Sequence, residues 1–260
     1  MVRRLGLAAL LLILAASLAM AEAVRVEDFE GGVFTDSGGL TLHFRLFVPA
    51  DYDDSRPYPL VVFLHGRGNR GSDNRRQVLL GAKLWAEPPT QTRQQTFVLA
   101  PQCPADDGWG RPEGMAGYGA SSPINALVEL LDALEEEWNL DPERLYVSGQ
   151  SGGGWGALLL LSKQPERFAA SLLICPAGEP AGDAAVTLVE SLAHLPLWFF
   201  HGTDDPVVPI ELTRRRVEAL RALGGRPRFS EYPGVKHDAW TRAFSEPGIV
   251  EWLYAQTRKP

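Results

Sequence analysis

Apolar residues fall into three kinds of run along this chain, and each kind predicts an element. Leu40, Leu42, Phe44, Leu46 and Val48 alternate with Thr41, His43, Arg45 and Phe47. Period two predicts a strand with one buried face. Leu60 to Leu64 is a continuous apolar run, and residues 97–100, 145–147, 171–174 and 197–200 read likewise. Such runs predict strands covered on both faces. Phe229 to Tyr232 predicts a last strand. The third kind follows 3–4 spacing. After Ser122-Pro123, a cap and a first-turn proline, come Ile124, Leu127, Val128, Leu131, Leu134 and Trp138. A buried helix is expected from Gly152 to Ser162. Another is expected from Leu212 to Leu223, with Arg214, Arg215 and Arg216 on a solvated side. Ile249, Trp252 and Leu253 predict a C-terminal helix packed on the sheet. Strands and helices alternate, so the sheet should be largely parallel with helices on both faces. Segments 65–76 and 101–121 are rich in Gly and Pro without periodicity, and long loops in a compact domain tend to be functional.

The N-terminus stands apart. Arg3 and Arg4 precede the apolar stretch Leu5 to Met20, and Ala19-Met20-Ala21 follows as a small-x-small cleavage site. This layout predicts a secretory signal peptide over residues 1–21. The stretch is short for a membrane span of about 20 residues. No Cys follows it, which argues against a lipid anchor. The expectation is one domain over residues 22–260 in a periplasmic or extracellular compartment, with no stable membrane anchor.

Composition narrows the class. Hydrophobic residues make up 45% and charged residues 22% of 260, enough to bury a core. Lys plus Arg number 25 against 32 acids, a net charge of −7, which argues against a nucleic-acid partner. Two cysteines exclude a disulfide-dense scaffold and a four-cysteine zinc site.

The sharpest chemical signal is Gly149-Gln150-Ser151-Gly152-Gly153, which follows the strand run at 145–148 and opens a helix. That is the setting of a nucleophile elbow. The Ser sits in a strained turn, and glycines two residues to either side avoid clashes with strand and helix. The turn lifts the hydroxyl to the sheet edge and aims a helix N-terminus beneath it, where the dipole favours an oxyanion. A Ser hydroxyl is a weak nucleophile and needs a base and an orienting acid. The elbow predicts the order Ser, acid, His. Of five histidines, His194, His201 and His237 follow Ser151. His201 ends a strand run, and His237 follows the last strand. His194 lies in a helical, amphipathic stretch and reads as structural. Asp204 and Asp205 compete for the acid. An oxyanion also needs donors. The backbone amide of Gly152 should be one, and the amide of Arg67, in the loop His65-Gly66-Arg67-Gly68-Asn69, the other. A phosphate-binding loop is the rival reading of that segment, but it lacks the Gly-Lys-Ser/Thr ending.

With these pieces placed, the chain resembles an α/β-hydrolase. It is most similar to the secreted, lidless branch spanning phospholipase/carboxylesterases, dienelactone-hydrolase-like esterases and proteins called predicted peptidases. The matching motifs are Phe63-Leu64-His65-Gly66-x-Gly68 with Asp73-Asn74, Ala100-Pro101-Gln102-Cys103-Pro104, the elbow, His201-Gly202 through Val208-Pro209, and Tyr232-Pro233-Gly234 leading to His237. The resemblance implies an eight-stranded, mostly parallel sheet with an antiparallel start. It implies that Asp205 is the acid, His237 the base and Arg67 the upstream oxyanion amide. It implies ester hydrolysis through an acyl-enzyme, with no metal or organic cofactor. One departure is Gly152, where relatives often carry Gln, Met or Ala; a backbone amide still serves there, with a less rigid elbow.

Only about twenty residues separate Ile174 from Leu197, so no large lid is expected. Trp109 and Tyr118, in the 101–121 loop, are candidates to line the substrate pocket. Trp155 and Trp240 read as packing residues. The expected substrates are short-chain or aromatic acyl esters, either small molecules or esters carried on polysaccharide. A peptidase of the same fold and a non-catalytic binding protein are the alternatives. Cys103 and Cys175 follow strands that should be separated by the Leu60 and Leu145 strands. Three steps of about 4.8 Å argue against a disulfide.

Overall fold

Alternation within the strands decides which side chains serve which face of the sheet. The computed structural model describes residues 23–110, 122–178 and 188–258. The signal-peptide segment and Tyr118 lie outside the described residues. Eight strands form one sheet: β1 (Glu30–Thr35), β2 (Thr41–Phe47), β3 (Tyr58–Leu64), β4 (Phe97–Gln102), β5 (Leu140–Gln150), β6 (Ala170–Ile174), β7 (Leu197–Gly202) and β8 (Arg228–Tyr232). Their order is β1-β2-β4-β3-β5-β6-β7-β8. The β1–β2 and β2–β4 pairs are antiparallel, and the other pairs are parallel. Strand β1 was not readable from periodicity. Its exposed edge and paired glycines Gly31-Gly32 carry no apolar rhythm.

Leu60, Val62 and Leu64 of β3 face one apolar layer with Val147, Leu173 and Phe199. Val61 and Phe63 face the other layer with Tyr146, Leu172 and Phe200. The first layer is closed by α3 (Pro123–Glu137), α4 (Gly152–Lys163) and α5 (Ile210–Ala222). The second is closed by α1 (Ala82–Ala86), α6 (Trp240–Ala243) and α7 (Ile249–Tyr254). A short helix α2 (Pro88–Arg93) follows α1. Ser122 caps α3 as expected, its Oγ accepting from the Asn125 amide at 3.2 Å. Among the described residues no helix is long and apolar enough to cross a membrane.

The strand order places β3 and β5 between β4 and β6, as the cysteine argument required. Cys103 and Cys175 are free and buried. One expectation fails on α5. Arg216 is 1% exposed rather than solvated. Its guanidinium donates to the Pro176 and Ala177 carbonyls at 2.7 and 2.9 Å and lies 5.9 Å over the Trp155 ring. Those carbonyls and the ring take the place of water around the cation. Burial still lowers its pKa to about 10. His194 also departs from expectation. It lies exposed in a turn before β7, not on a helix, with Nε2 3.3 Å from the Pro165 carbonyl.

Candidate active site

Parallel strands end at one edge, and the ends of β5, β7 and β8 supply Ser151, Asp205 and His237. Strand β5 leads into Ser151, which holds φ 52° and ψ −119°. A serine pays strain to stay in this region, and close packing enforces it. A β-carbon at Gly153 would lie 1.9 Å from the Leu64 carbonyl oxygen. One at Gly149 would lie 2.3 Å from the Gly153 oxygen. The expected steric reason for both glycines is therefore visible.

Strands β7 and β8 lead into the loops that carry Asp205 and His237. Ser151 Oγ lies 2.9 Å from His237 Nε2. His237 Nδ1 lies 2.7 Å from Asp205 Oδ2. A carboxylate only accepts, so Nδ1 carries the proton and Nε2 is left to accept from the hydroxyl. The other oxygen, Asp205 Oδ1, accepts from the amides of Val207 at 2.8 Å and Val208 at 2.9 Å. Burial works against the Asp205 charge, but the Val208 and Val207 amides and His237 outweigh it and hold the carboxyl below its ordinary pKa. Asp204 turns elsewhere: its carboxylate accepts from the Thr203 hydroxyl at 2.7 Å. His201 lies behind Asp205 and does not approach Ser151 through any hydrogen bond, its Nε2 being 3.2 Å from Asp205 Oδ2.

The two residues expected to supply oxyanion amides lie side by side. Gly152 opens α4, and Arg67 opens a short helical turn at Arg67–Asn69. First-turn amides have no carbonyl partner within their own helix. A β-carbon at Gly152 would sit 3.5 Å from the Arg67 nitrogen. Both residues, with Ser151, line one cavity. His65 supports the loop from beneath, its Nδ1 on the Gly66 carbonyl at 2.7 Å and its Nε2 accepting from the Cys103 amide at 3.0 Å.

A cavity of about 530 Å³ opens over Ser151 and His237. Its walls include Leu80, Val208, Leu212 and Trp240. Trp240 stands edge-on to His237, with centroids 5.4 Å apart. Here the aromatic assignments change places. Trp109 is 3% exposed in the core, donates Nε1–H to the His65 carbonyl and packs against Gly156, so it does not line the cavity. Trp240, read as a packing residue, does. Trp155 packs against the core as expected. Which aromatic overhangs an elbow depends on how a distant loop folds back, and spacing carries no record of that.

Cys175 Sγ, Asp205 and His237 bring three metal-ligand atom types within 4.8 Å of one another. Burial raises the Cys175 pKa, so it stays a thiol. The His237 Nδ1 lone pair is occupied by a proton. The group is a hydrogen-bonded relay, not a ligand set.

A strand–turn–helix serine with a histidine and a carboxylate at the edge of this sheet defines an α/β-hydrolase. Residues 119–248 match the model of the phospholipase/carboxylesterase family. The chain belongs to that family, and it is a carboxylic ester hydrolase. A solved structure titled a thermostable esterase is 38% identical with a TM-score of 0.82; the alignment covers 90% of this chain and 64% of that one. A probable carboxylesterase of Oryza sativa subsp. japonica is 25% identical over 196 residues, covering 69% of this chain and 81% of its own. An acyl-protein thioesterase 1 of Gibberella zeae is 25% identical over 207 residues, covering 69% and 83%.

Proposed function

We propose that Ser151, His237 and Asp205 form a catalytic triad that cleaves carboxylic esters through an acyl-enzyme. The observation that carries this reading is the unbroken Oγ–Nε2, Nδ1–Oδ2 relay on the floor of the cavity. His237 takes the Ser151 proton as Oγ attacks the acyl carbonyl. Asp205 holds the imidazole tautomer and stabilises the cation that forms. The Arg67 and Gly152 amides receive the oxyanion. The alcohol leaves with the proton from His237, and water then releases the acid by the same relay.

The substrate class is a short-chain or aromatic acyl ester, free or carried on polysaccharide. Support comes from the apolar walls contributed by Leu80, Val208, Leu212 and Trp240. A thioester of the same acyl group fits the same chemistry, and relatives named as acyl-protein thioesterases support including it. The N-terminal leader directs the protein out of the cytoplasm in this reading. N-terminal sequencing of the exported protein should begin after Ala21.

The test is hydrolysis of p-nitrophenyl esters from acetyl to palmitoyl, beside Ser151→Ala. Turnover should peak at short chains and fall by about 10⁴-fold or more in the variant. Turnover that survives Ser151→Ala defeats the triad. A peak at long chains defeats the substrate class. A peptidase would cleave peptides and spare the esters. A binding protein would also leave a serine-reactive phosphonate untouched.

A further inference from the structure

His201 is a buried imidazole that the chemistry above does not use. It is 0% exposed, at the end of β7. Its Nε2 lies 3.0 Å from the Val208 carbonyl and 3.2 Å from Asp205 Oδ2. Both neighbours are acceptors, so Nε2 carries the ring proton. Nδ1 then accepts from the Thr213 hydroxyl, 2.9 Å away on α5 and also 0% exposed. Burial lowers the His201 pKa, which keeps the ring neutral.

This places one N–H at two useful points. The Val208 carbonyl belongs to the turn whose Val207 and Val208 amides grip Asp205 Oδ1. Asp205 Oδ2 is the oxygen that serves His237. The carboxylate is held from both ends: two amides on one oxygen, and His237 with His201 around the other. A neutral donor there favours the carboxylate without adding a second cation beside His237.

We infer that His201 is a positioning residue that aims Asp205 at His237, with Thr213 locking the His201 tautomer. This rests on the triad reading. It assigns the His-Gly motif a role in the reaction, beyond ending a strand.

The test is a double-mutant cycle, read as kcat and KM separately. His201→Phe keeps the ring and removes the donor. It should lower kcat by about 10- to 100-fold, the scale of a misplaced catalytic group, with KM within about 3-fold. His201→Gln places an amide N–H where Nε2 sits and should restore most of that kcat. In an Asp205→Ala background, His201→Phe should cost less than about 2-fold, because nothing remains to aim. Thr213→Val runs the same cycle if His201→Phe does not fold, with a loss of about 3- to 10-fold. An unchanged kcat in folded His201→Phe overturns the proposal. So does an equal loss with and without Asp205, or a failure of Gln to restore kcat. Full activity of Asp205→Ala alone would instead overturn the triad reading.

Discussion

Ser151 and His237 reach the same hydrogen bond by opposite means. Ser151 is set by a turn written in its own neighbours and locked by close backbone packing. Its turn is fixed by φ 52°, by the tight approach of Gly153 to Leu64, and by its own amide on the Ile174 carbonyl at 2.9 Å. His237 is held from far away in sequence. Its loop follows the edge strand β8 and is tied to the β7 loop. The Asp204 amide donates to the Val235 carbonyl at 3.0 Å, and the Gly234 amide to Thr203 Oγ1 at 2.9 Å. On the triad reading the nucleophile is held by backbone packing around a locally spelled turn, and the base by ties between two loops. Damage should therefore differ in kind: lost fold at the elbow, lost alignment at the loops.

The largest effect expected on the loop side comes from Asp205→Asn. The Val207 and Val208 amides keep the Asn oxygen on their side, so its donating NH2 faces Nδ1 and favours the wrong His237 tautomer. Ester kcat/KM should fall by about 10³- to 10⁴-fold while the melting temperature changes little. A loss of fold in that variant would erase the distinction between the two regions.

On the elbow side, Gly153→Ala drives a methyl into the Leu64 carbonyl. It should cost about 3 kcal/mol of stability or more, seen in the urea midpoint. A stable, active Gly153→Ala would show that the elbow is less constrained than its geometry says.

Acid should loosen the loop that follows β3. His65 is 1% exposed, and burial lowers its pKa from 6.5 to about 4. The unfolded chain therefore binds a proton in this window that the native state refuses. Stability is full above pH 6.5 and falls by about 3 kcal/mol as pH drops toward 4. Burial of neutral His201 adds to the fall with the same sign. Urea titrations at pH 7 and 4.5 read it, and His65→Gln should flatten the slope. An unchanged slope in that variant would mean that other groups carry the acid response.

The smallest effect is next door to the largest steric one. At Gly152 a β-carbon meets the Arg67 nitrogen at 3.5 Å, an ordinary contact. Gly152→Ala should keep turnover within about 3-fold and raise stability by up to about 1 kcal/mol through helix propensity. A large loss of turnover would mean that the oxyanion amides need the freedom of glycine.

The same contrast explains what could be read in advance. Strands β3 to β7 and the elbow are written in neighbouring residues, and both were legible. The choice of Asp205 over Asp204, and of His237 over His201, was open to local pattern. Both choices depend on which loop end meets Ser151 after the sheet has formed, so the resemblance had to supply them. The charge run on α5 misled for a related reason. Arg216 is surrounded by carbonyls from residues 176 and 177, forty positions away in sequence, so its neighbours in the chain said nothing of its burial. Trp109 and Trp240 exchanged roles because loop packing, not spacing, decides which ring meets solvent.

The long separation between Ser151 and His237 has a consequence for biosynthesis. They are 86 residues apart in the chain, and Asp205 lies between them. At about 5–20 residues per second, His237 leaves the ribosome roughly 4–17 seconds after Ser151. On the triad reading, the emerging chain until then carries a hydroxyl with no base to activate it. The order of the strands thus sets a delay: on that reading the serine has its base only after β8, at the far edge of the sheet, and the loop behind it have been made.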